Sequence, residues 1–364
     1  MPENKLVALF LQLAEIDALS QHEKPVADHI HDFLSALDLK PFFDRSDSKT
    51  GSDTGNLVCK VGSGGDVMFL AHMDTARPTI DVKPQVHADR ITSDGTTVLG
   101  VDNRAGIAVI LHALEKALRE QIAIKDFTLA FTTCEESTLA GSLNLEIPEH
   151  ITKCFIFDSS LRPGSFISSS CGAKNFNVTI KGIAAHSGLA PEKGINSIAI
   201  AARALSQVQQ GRIGEQTTVN IGTISGGSAV NVVPETTQLT GEVRSAEGGM
   251  VDKTIQAIKA IFAKECAALG AGLEFRDEWD FKPYEIPPQA GVYKDVLAVM
   301  GKVGLTPLPV ASLAGSDANS LNGRGVQAIN LGIGAQNPHA NDEFIYLDDL
   351  AKSSAIALEL MKKK

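Results

Sequence analysis

No C-x-x-C pair occurs in this sequence, and its five cysteines (Cys59, Cys134, Cys154, Cys171 and Cys266) are odd in number and widely spaced. That argues against a disulfide framework and a thiolate zinc site, and it fits a reducing compartment. Apolar runs of membrane length are also missing. The opening MPENKLVALFLQLAEIDALS holds only a short apolar stretch broken by Gln12 and Glu15, which reads as an amphipathic helix rather than a signal peptide. The expectation is a cytoplasmic protein with no membrane partner. Basic charge is in deficit: 33 Lys and Arg stand against 43 Asp and Glu, a net charge of −10. Such a balance disfavours nucleic acid or an anionic surface as the main partner. Repeats and low-complexity segments are absent too.

What is present is an ordinary globular composition, 43% hydrophobic and 21% charged over 364 residues, long enough for two domains. Short continuous apolar runs, FTLAFTT (127–133), KCFIFD (153–158) and VQAINLGIG (326–334), have the character of strands buried on both faces. They alternate with helical stripes at 104–120 and 351–363. That order predicts an α/β fold, a mostly parallel sheet with helices on both faces. Ser20-Gln-His-Glu23 has the form of a capping box opening a second helix. NLVCKV (56–61) and DVMFLAH (66–72) read as two strands joined by a hairpin at Gly62-Ser-Gly-Gly65, because a phosphate-binding glycine loop would lead into a helix.

The middle of the chain differs. AKNFNVTIKG alternates like a half-exposed strand; a helix after Pro191 follows, with Ile195, Ile198, Ala202, Leu205 and Val208 on one face. Two strands (217–226 and 237–245), a helix carrying Ile255, Ile258, Phe262 and Cys266, and a strand at 272–281 complete the set. Strand–helix–strand–strand–helix–strand is the ferredoxin-like order. The expected division is therefore 173–283 as an inserted α+β domain, within a larger domain made of 1–172 and 284–364.

Ligands of doubly wound sheets bind beyond the carboxyl ends of the strands, and here those ends are charged. FLAHMD ends in His72 and Asp74, which share one side of a strand; FTTCEES carries Glu135 and Glu136; FIFDSS carries Asp158. Asp102 lies in GVDNRAG ahead of a helix, and His339 in QNPHANDEF after the last strand. Each has a bland explanation alone: Asp102 as a helix cap, the Glu pair as a solvated corner. Together, Asp102, Glu135, Glu136 and Asp158 cannot stay ionised at close range without cations, and two divalent ions would balance their four charges. Imidazole and carboxylate donors without thiolates suit zinc, with manganese or cobalt as alternatives.

The strings FLAHMDT, GVDNRAGIA, the Glu-Glu pair, FIFDSS and the His339 segment resemble the peptidase T/aminoacylase/desuccinylase family of dinuclear zinc hydrolases, especially its peptidase T-like members. The resemblance runs over nearly the whole chain. It implies a zinc-exopeptidase α/β domain with the inserted ferredoxin-like domain as a lid. It further implies that His72 and Asp158 hold one zinc, Glu136 and His339 the other, and that Asp102 bridges them. Asp74 would then orient His72, and Glu135 would be the general base toward a metal-bridging water. GIAAHSGLAP resembles the family's lid motif and would make His186 the oxyanion donor, serving a partner subunit in a homodimer built through the lid. Asn231 in AVNVVPE and Arg244 in GEVRS would hold substrate, the arginine by its carboxylate. Asn103-Arg104 stands where the family more often has Asp-Lys, and Cys134 where an acid is frequent.

The activity implied is amide hydrolysis in small peptides, of the tripeptide-aminopeptidase kind. Two rivals remain at this stage: a deacylase or carboxypeptidase acting on N-acyl amino acids, and a metal-binding relative without turnover, which an intact Glu135 disfavours.

Overall fold

The structure is a computed structural model that describes residues 4–363. It divides into a first unit, made of the chain up to Ser168, Glu285–Ala311 and the residues from Ser316 onward, and a second, Ser169–Tyr284 with Ser312–Gly315. The second takes in the 173–283 stretch and adds four residues before it and one after it, with four more from 312–315.

At the centre of the first unit are four parallel strands, side by side in the order Phe127–Thr132, Val67–His72, Lys153–Ser159 and Gln327–Gly332. Phe127–Thr132 and Val67–His72 are buried at every residue, as continuous apolar runs require. Antiparallel strands flank them, so the sheet is mixed with a parallel middle. The helix Val101–Arg119 lies against it, and Gly106 sets the distance. A Cβ there would fall 2.0 Å from the Phe157 carbonyl oxygen, so only glycine lets helix and strand come so close. Phe69 meets the Phe127 ring edge-on at 5.0 Å, a pair worth about 0.5–1.5 kcal/mol beyond its buried area.

The expected hairpin is not formed. Leu57–Val61 pairs with Phe127–Thr132, which lies between it and Val67–His72. A strand apolar on both faces is best buried with a neighbour on each side, and this one takes both. The glycine turn crosses over it: the Ser63 N–H and hydroxyl donate to Asp126 Oδ2 at 3.1 and 2.6 Å. At Gly65, with φ +47°, a Cβ would lie 2.1 Å from the Asp126 carbonyl oxygen.

The second unit carries an antiparallel sheet in the order Gly211–Gly214, Thr217–Gly226, Thr236–Ser245, Gly172–Lys181 and Gly272–Phe281. The last four strands with the helices Ser197–Leu205 and Gly248–Leu269 make the ferredoxin-like arrangement. Phe176, Val178 and Ile180 pack inward with Ile255, Ile258, Phe262 and Cys266. The first helix buries Ser197, Ile200, Ala201 and Ala204; of the expected face, Val208 joins the core and Ile195 and Leu205 pack against it, while Ile198 and Ala202 are exposed. The Ser197 hydroxyl decides this by bonding the Pro234 carbonyl at 3.0 Å and Thr237 Oγ1 at 2.8 Å, which turns Ile198 outward. Among the described residues, no helix is long and apolar enough to cross a membrane.

Candidate metal centre and active site

The parallel register places the functional side chains at one edge of the sheet. His72 is level with Thr132, three residues before Glu135, and Asp158 is the penultimate residue of the neighbouring strand. His72 Nε2 lies 3.0 Å from Asp102 Oδ1 and 3.1 Å from Asp158 Oδ1. Asp102 turns its other oxygen toward His339 Nε2 at 3.6 Å, and that nitrogen meets Glu136 Oε1 at 3.2 Å. His72, Asp102 and Asp158 form one triad and Asp102, Glu136 and His339 a second, the donor atoms in each within 4.8 Å of one another. Asp102 belongs to both. Glu135 Oε2 approaches His72 Nε2 to 3.9 Å without joining either triad.

Asp74 touches His72 from behind. His72 Nδ1 lies 3.1 Å from the Asp74 carbonyl oxygen and 3.3 Å from its carboxylate, a contact that fixes the ring and points Nε2 at the acids. The same carboxylate accepts the backbone N–H of Glu135 (3.0 Å) and of Glu136 (3.1 Å). Ser20 donates its hydroxyl to it at 2.6 Å. Ser20 and Glu23 therefore do not form a capping box. Glu23 stands at the cap position of Lys24–Ser35 without capping it, and its oxygens accept the N–H of Gln21 and Cys134 and the Ser52 hydroxyl. Asp102 does not cap its helix either; it lies in a kinked first turn behind Gly100, ahead of a cis Asp102–Asn103 peptide.

The electrostatics call for cations. Burial, with Asp158, Asp317 and Glu136 nearby, drives the Glu135 carboxyl well above its usual range despite His72. Burial also lifts Glu136 and Asp158, with Asp102 adding repulsion to both. Bonds to Asp102 and Glu136 push His339 up to about 10, while burial of Asp102 is outweighed by the two histidines, which hold it below the usual carboxylate range. Glu136 Oε1 is buried and, beyond the His339 nitrogen 3.2 Å away, has no hydrogen-bond partner among the described residues. Crowded carboxylates with spare lone pairs and two imidazoles make a donor set that fits two divalent ions, one per triad.

The remaining expected site residues lie in the second unit. His186 and Asn231 are neighbours there: His186 is bridged to Val232, and the Asn231 carbonyl accepts from Ser187 N at 3.0 Å. His186 Nδ1 accepts from the N–H of Gly188 and Leu189, so Nε2 carries the ring proton. Arg244 is engaged within its own strand, its Nε and Nη2 donating to Glu242 at 2.7 and 2.8 Å.

Residues 168–269 match the peptidase dimerisation domain of M20 enzymes. Over 366 residues the chain is 30% identical to the uncharacterized protein YqjE of Bacillus subtilis, covering 99% of this chain and 98% of that protein. The crystal structure of aminopeptidase PepT from Bacillus cereus superposes with a TM-score of 0.89 at 29% identity, covering 98% of this chain and 97% of that one. A tripeptidase from Staphylococcus aureus superposes with a TM-score of 0.92, also at 29% identity, over 100% and 98% of the two chains. The chain belongs to the M20 peptidase family, in its peptidase T-like branch. It is a metallopeptidase by family.

Several residues around the site of this M20 peptidase escape a reading by motif. Glu343 is buried and accepts the N–H of Gly100 and Asp102 at 2.7 and 3.2 Å, and burial raises its carboxyl to about 7. Asn330 donates to Asp158 Oδ2 at 3.0 Å. Asp317, which burial raises to about 6, accepts from Thr132 at 2.6 Å. Arg104 is fully buried and donates to the carbonyls of Leu13, Ile16 and Met73, bracing the segment after His72. Glu343 and Arg104 lie inside the site motifs and Asn330 inside the last apolar run, but the contacts of all four residues depend on long-range packing.

Proposed function

We propose that this chain is a two-zinc aminopeptidase of small peptides, acting on tripeptides or substrates of similar size. The observation that carries the reading is the pair of ligand triads sharing Asp102, with Glu135 beside them and outside both. The 29% identity to an aminopeptidase PepT and a tripeptidase supports the substrate class. His72 and Asp158 would hold one ion, Glu136 and His339 the other, and Asp102 both; zinc suits these donors, with manganese or cobalt as alternatives. When bound, two such ions lower the pKa of water and polarise a carbonyl oxygen.

Glu135 accepts a proton from the attacking water and returns it to the leaving amine, from a position beside both triads and outside them. Asp74 holds His72 in one ring orientation. His186, with its proton on Nε2, donates to the oxyanion in the partner subunit's site. Asn231 binds substrate, and Arg244 takes its carboxylate through the N–H groups that Glu242 and the Leu313 carbonyl leave on Nη1 and Nη2. The working form is a cytoplasmic homodimer. Among the described residues Gly211–Gly214 covers only Thr217–Val219, so the outer edge of Thr217–Gly226 beyond Val219 is open to a second copy.

A substrate panel tests the activity: di- and tripeptides with free or blocked amino ends, beside N-acetyl and N-succinyl amino acids. Hydrolysis of peptides with a free amino end, and weak turnover of the others, is the expected result. Preference for the acylated amino acids would make the chain a deacylase, and no turnover of any of them with two metals bound would make it a binder.

A further inference from the structure

The turn bearing Glu135 and Glu136 is held in an unusual way. Four consecutive N–H groups, those of Thr133, Cys134, Glu135 and Glu136, are all accepted by side chains from elsewhere in the sequence. Asn56 Oδ1 takes Thr133 at 3.1 Å, Glu23 Oε1 takes Cys134 at 2.8 Å, and Asp74 takes Glu135 and Glu136 at 3.0 and 3.1 Å. The turn needs the help: Cys134 sits at φ +52°, a left-handed conformation that a non-glycine residue holds only where its surroundings enforce it. Asp74 already touches His72. Glu23 has no contact with the triads, yet it is 0% exposed and spends both oxygens on local donors. Oε1 receives the Gln21 and Cys134 N–H, and Oε2 the Ser52 hydroxyl.

We infer that Glu23 is a positioning residue for the catalytic turn. It clamps the Cys134 N–H and so fixes the left-handed step that aims Glu135 at the reacting water and Glu136 at its ion. A surface helix cap would be exposed and would bond its own first turn; this carboxylate does neither. The inference rests on Glu135 being the general base, but the clamp itself can be read without that assumption.

The experiment compares Glu23→Ala, Glu23→Gln and Glu23→Asp in the full chain loaded with zinc. Glutamine keeps an acceptor at Oε1, and the Ser52 hydroxyl can turn round to accept from the new amide. Hydrogen exchange over residues 133–136, read by mass spectrometry, reports the clamp directly. Glu23→Ala is expected to speed that exchange selectively. It should lower kcat roughly tenfold to a hundredfold, the scale of an ångström-level misplacement, with KM within about twofold. Glu23→Gln should restore most of both. Exchange over 133–136 equal to the parent in Glu23→Ala would overturn the inference, as would glutamine failing to rescue a folded protein. If alanine prevents folding, Glu23→Asp decides, since it keeps the charge and withdraws the oxygens by one methylene. Faster exchange with lowered kcat supports the clamp, and parent-like values of both sink it. A normal kcat in Glu135→Gln would remove the base assignment while leaving the exchange result to stand for Glu23.

Discussion

The two triads share Asp102 and are otherwise unlike. His72 is 1% exposed, its far nitrogen is fixed by Asp74, and Asp158 opposite it is bonded by Asn330. His339 is 49% exposed and sits in a left-handed loop at φ +66°, tied back through its carbonyl by Arg77 at 3.2 Å. One half is built from strand ends inside the sheet edge, the other partly from a surface loop. Burial and orientation by outer partners strengthen a ligand set and slow exchange with solvent. On the proposed ligand assignment, the His72–Asp158 triad would hold the tighter, slower ion and the Glu136–His339 triad the looser one.

The largest effect tests the residue that belongs to neither half. Glu135→Gln preserves shape and leaves every ligand in place, but glutamine cannot accept a proton. kcat should fall by about 10²–10⁴-fold, with two ions per chain by elemental analysis and little change in KM. Near-normal turnover with both ions would remove Glu135 as the base. Loss of an ion here, with Glu136→Gln keeping both, would show that the adjacent pair has been assigned in the wrong order.

Next come the ligands themselves. Asp158→Asn and Glu136→Gln each remove one charged donor, and each should bring the count from two ions to about one. The ion that survives should differ: tightly held in Glu136→Gln, easily stripped in Asp158→Asn. Graded chelation of the unaltered protein should accordingly release the ions in two steps, separated by roughly tenfold or more in free metal, on the scale of outer-partner effects. A single step, or two variants that lose metal identically, would erase the contrast between the halves.

How much of this was legible in the sequence follows the same division. His72, Asp158 and the Glu pair announce themselves because apolar strands stop at charged residues, and the parallel sheet then collects those ends on one edge. The ferredoxin-like order was legible from alternation and helix spacing. Pairing was not: the apolar runs look alike, and nothing local says that Phe127–Thr132 would enter between the two strands read as a hairpin. Nor was the outer layer. Ser20 and Glu23 fit a helix-cap pattern locally, and only packing across 54 and 111 residues of chain brings them to Asp74 and Cys134. Asn330, in a buried run, gives no local sign that its amide would reach Asp158.

The smallest effects sharpen the contrast most, because they leave all ligands in place. Asn330→Ala removes a bond to the Asp158 carboxylate, of a kind worth about 1.5–3 kcal/mol when one partner is charged. Asn330 is buried, so the oxygen it leaves cannot find water cheaply. Affinity for the tighter ion should drop about tenfold to a hundredfold, with the looser ion nearly unmoved. Arg77→Ala removes an exposed bond to a backbone carbonyl, where water can replace the guanidinium, so the looser ion should weaken by less than about tenfold. Competition titration with a metal-binding dye measures both variants against the parent. If Arg77→Ala cost more than Asn330→Ala, the exposed loop would be the better-supported half, and the order of metal release argued from burial would have to be reversed.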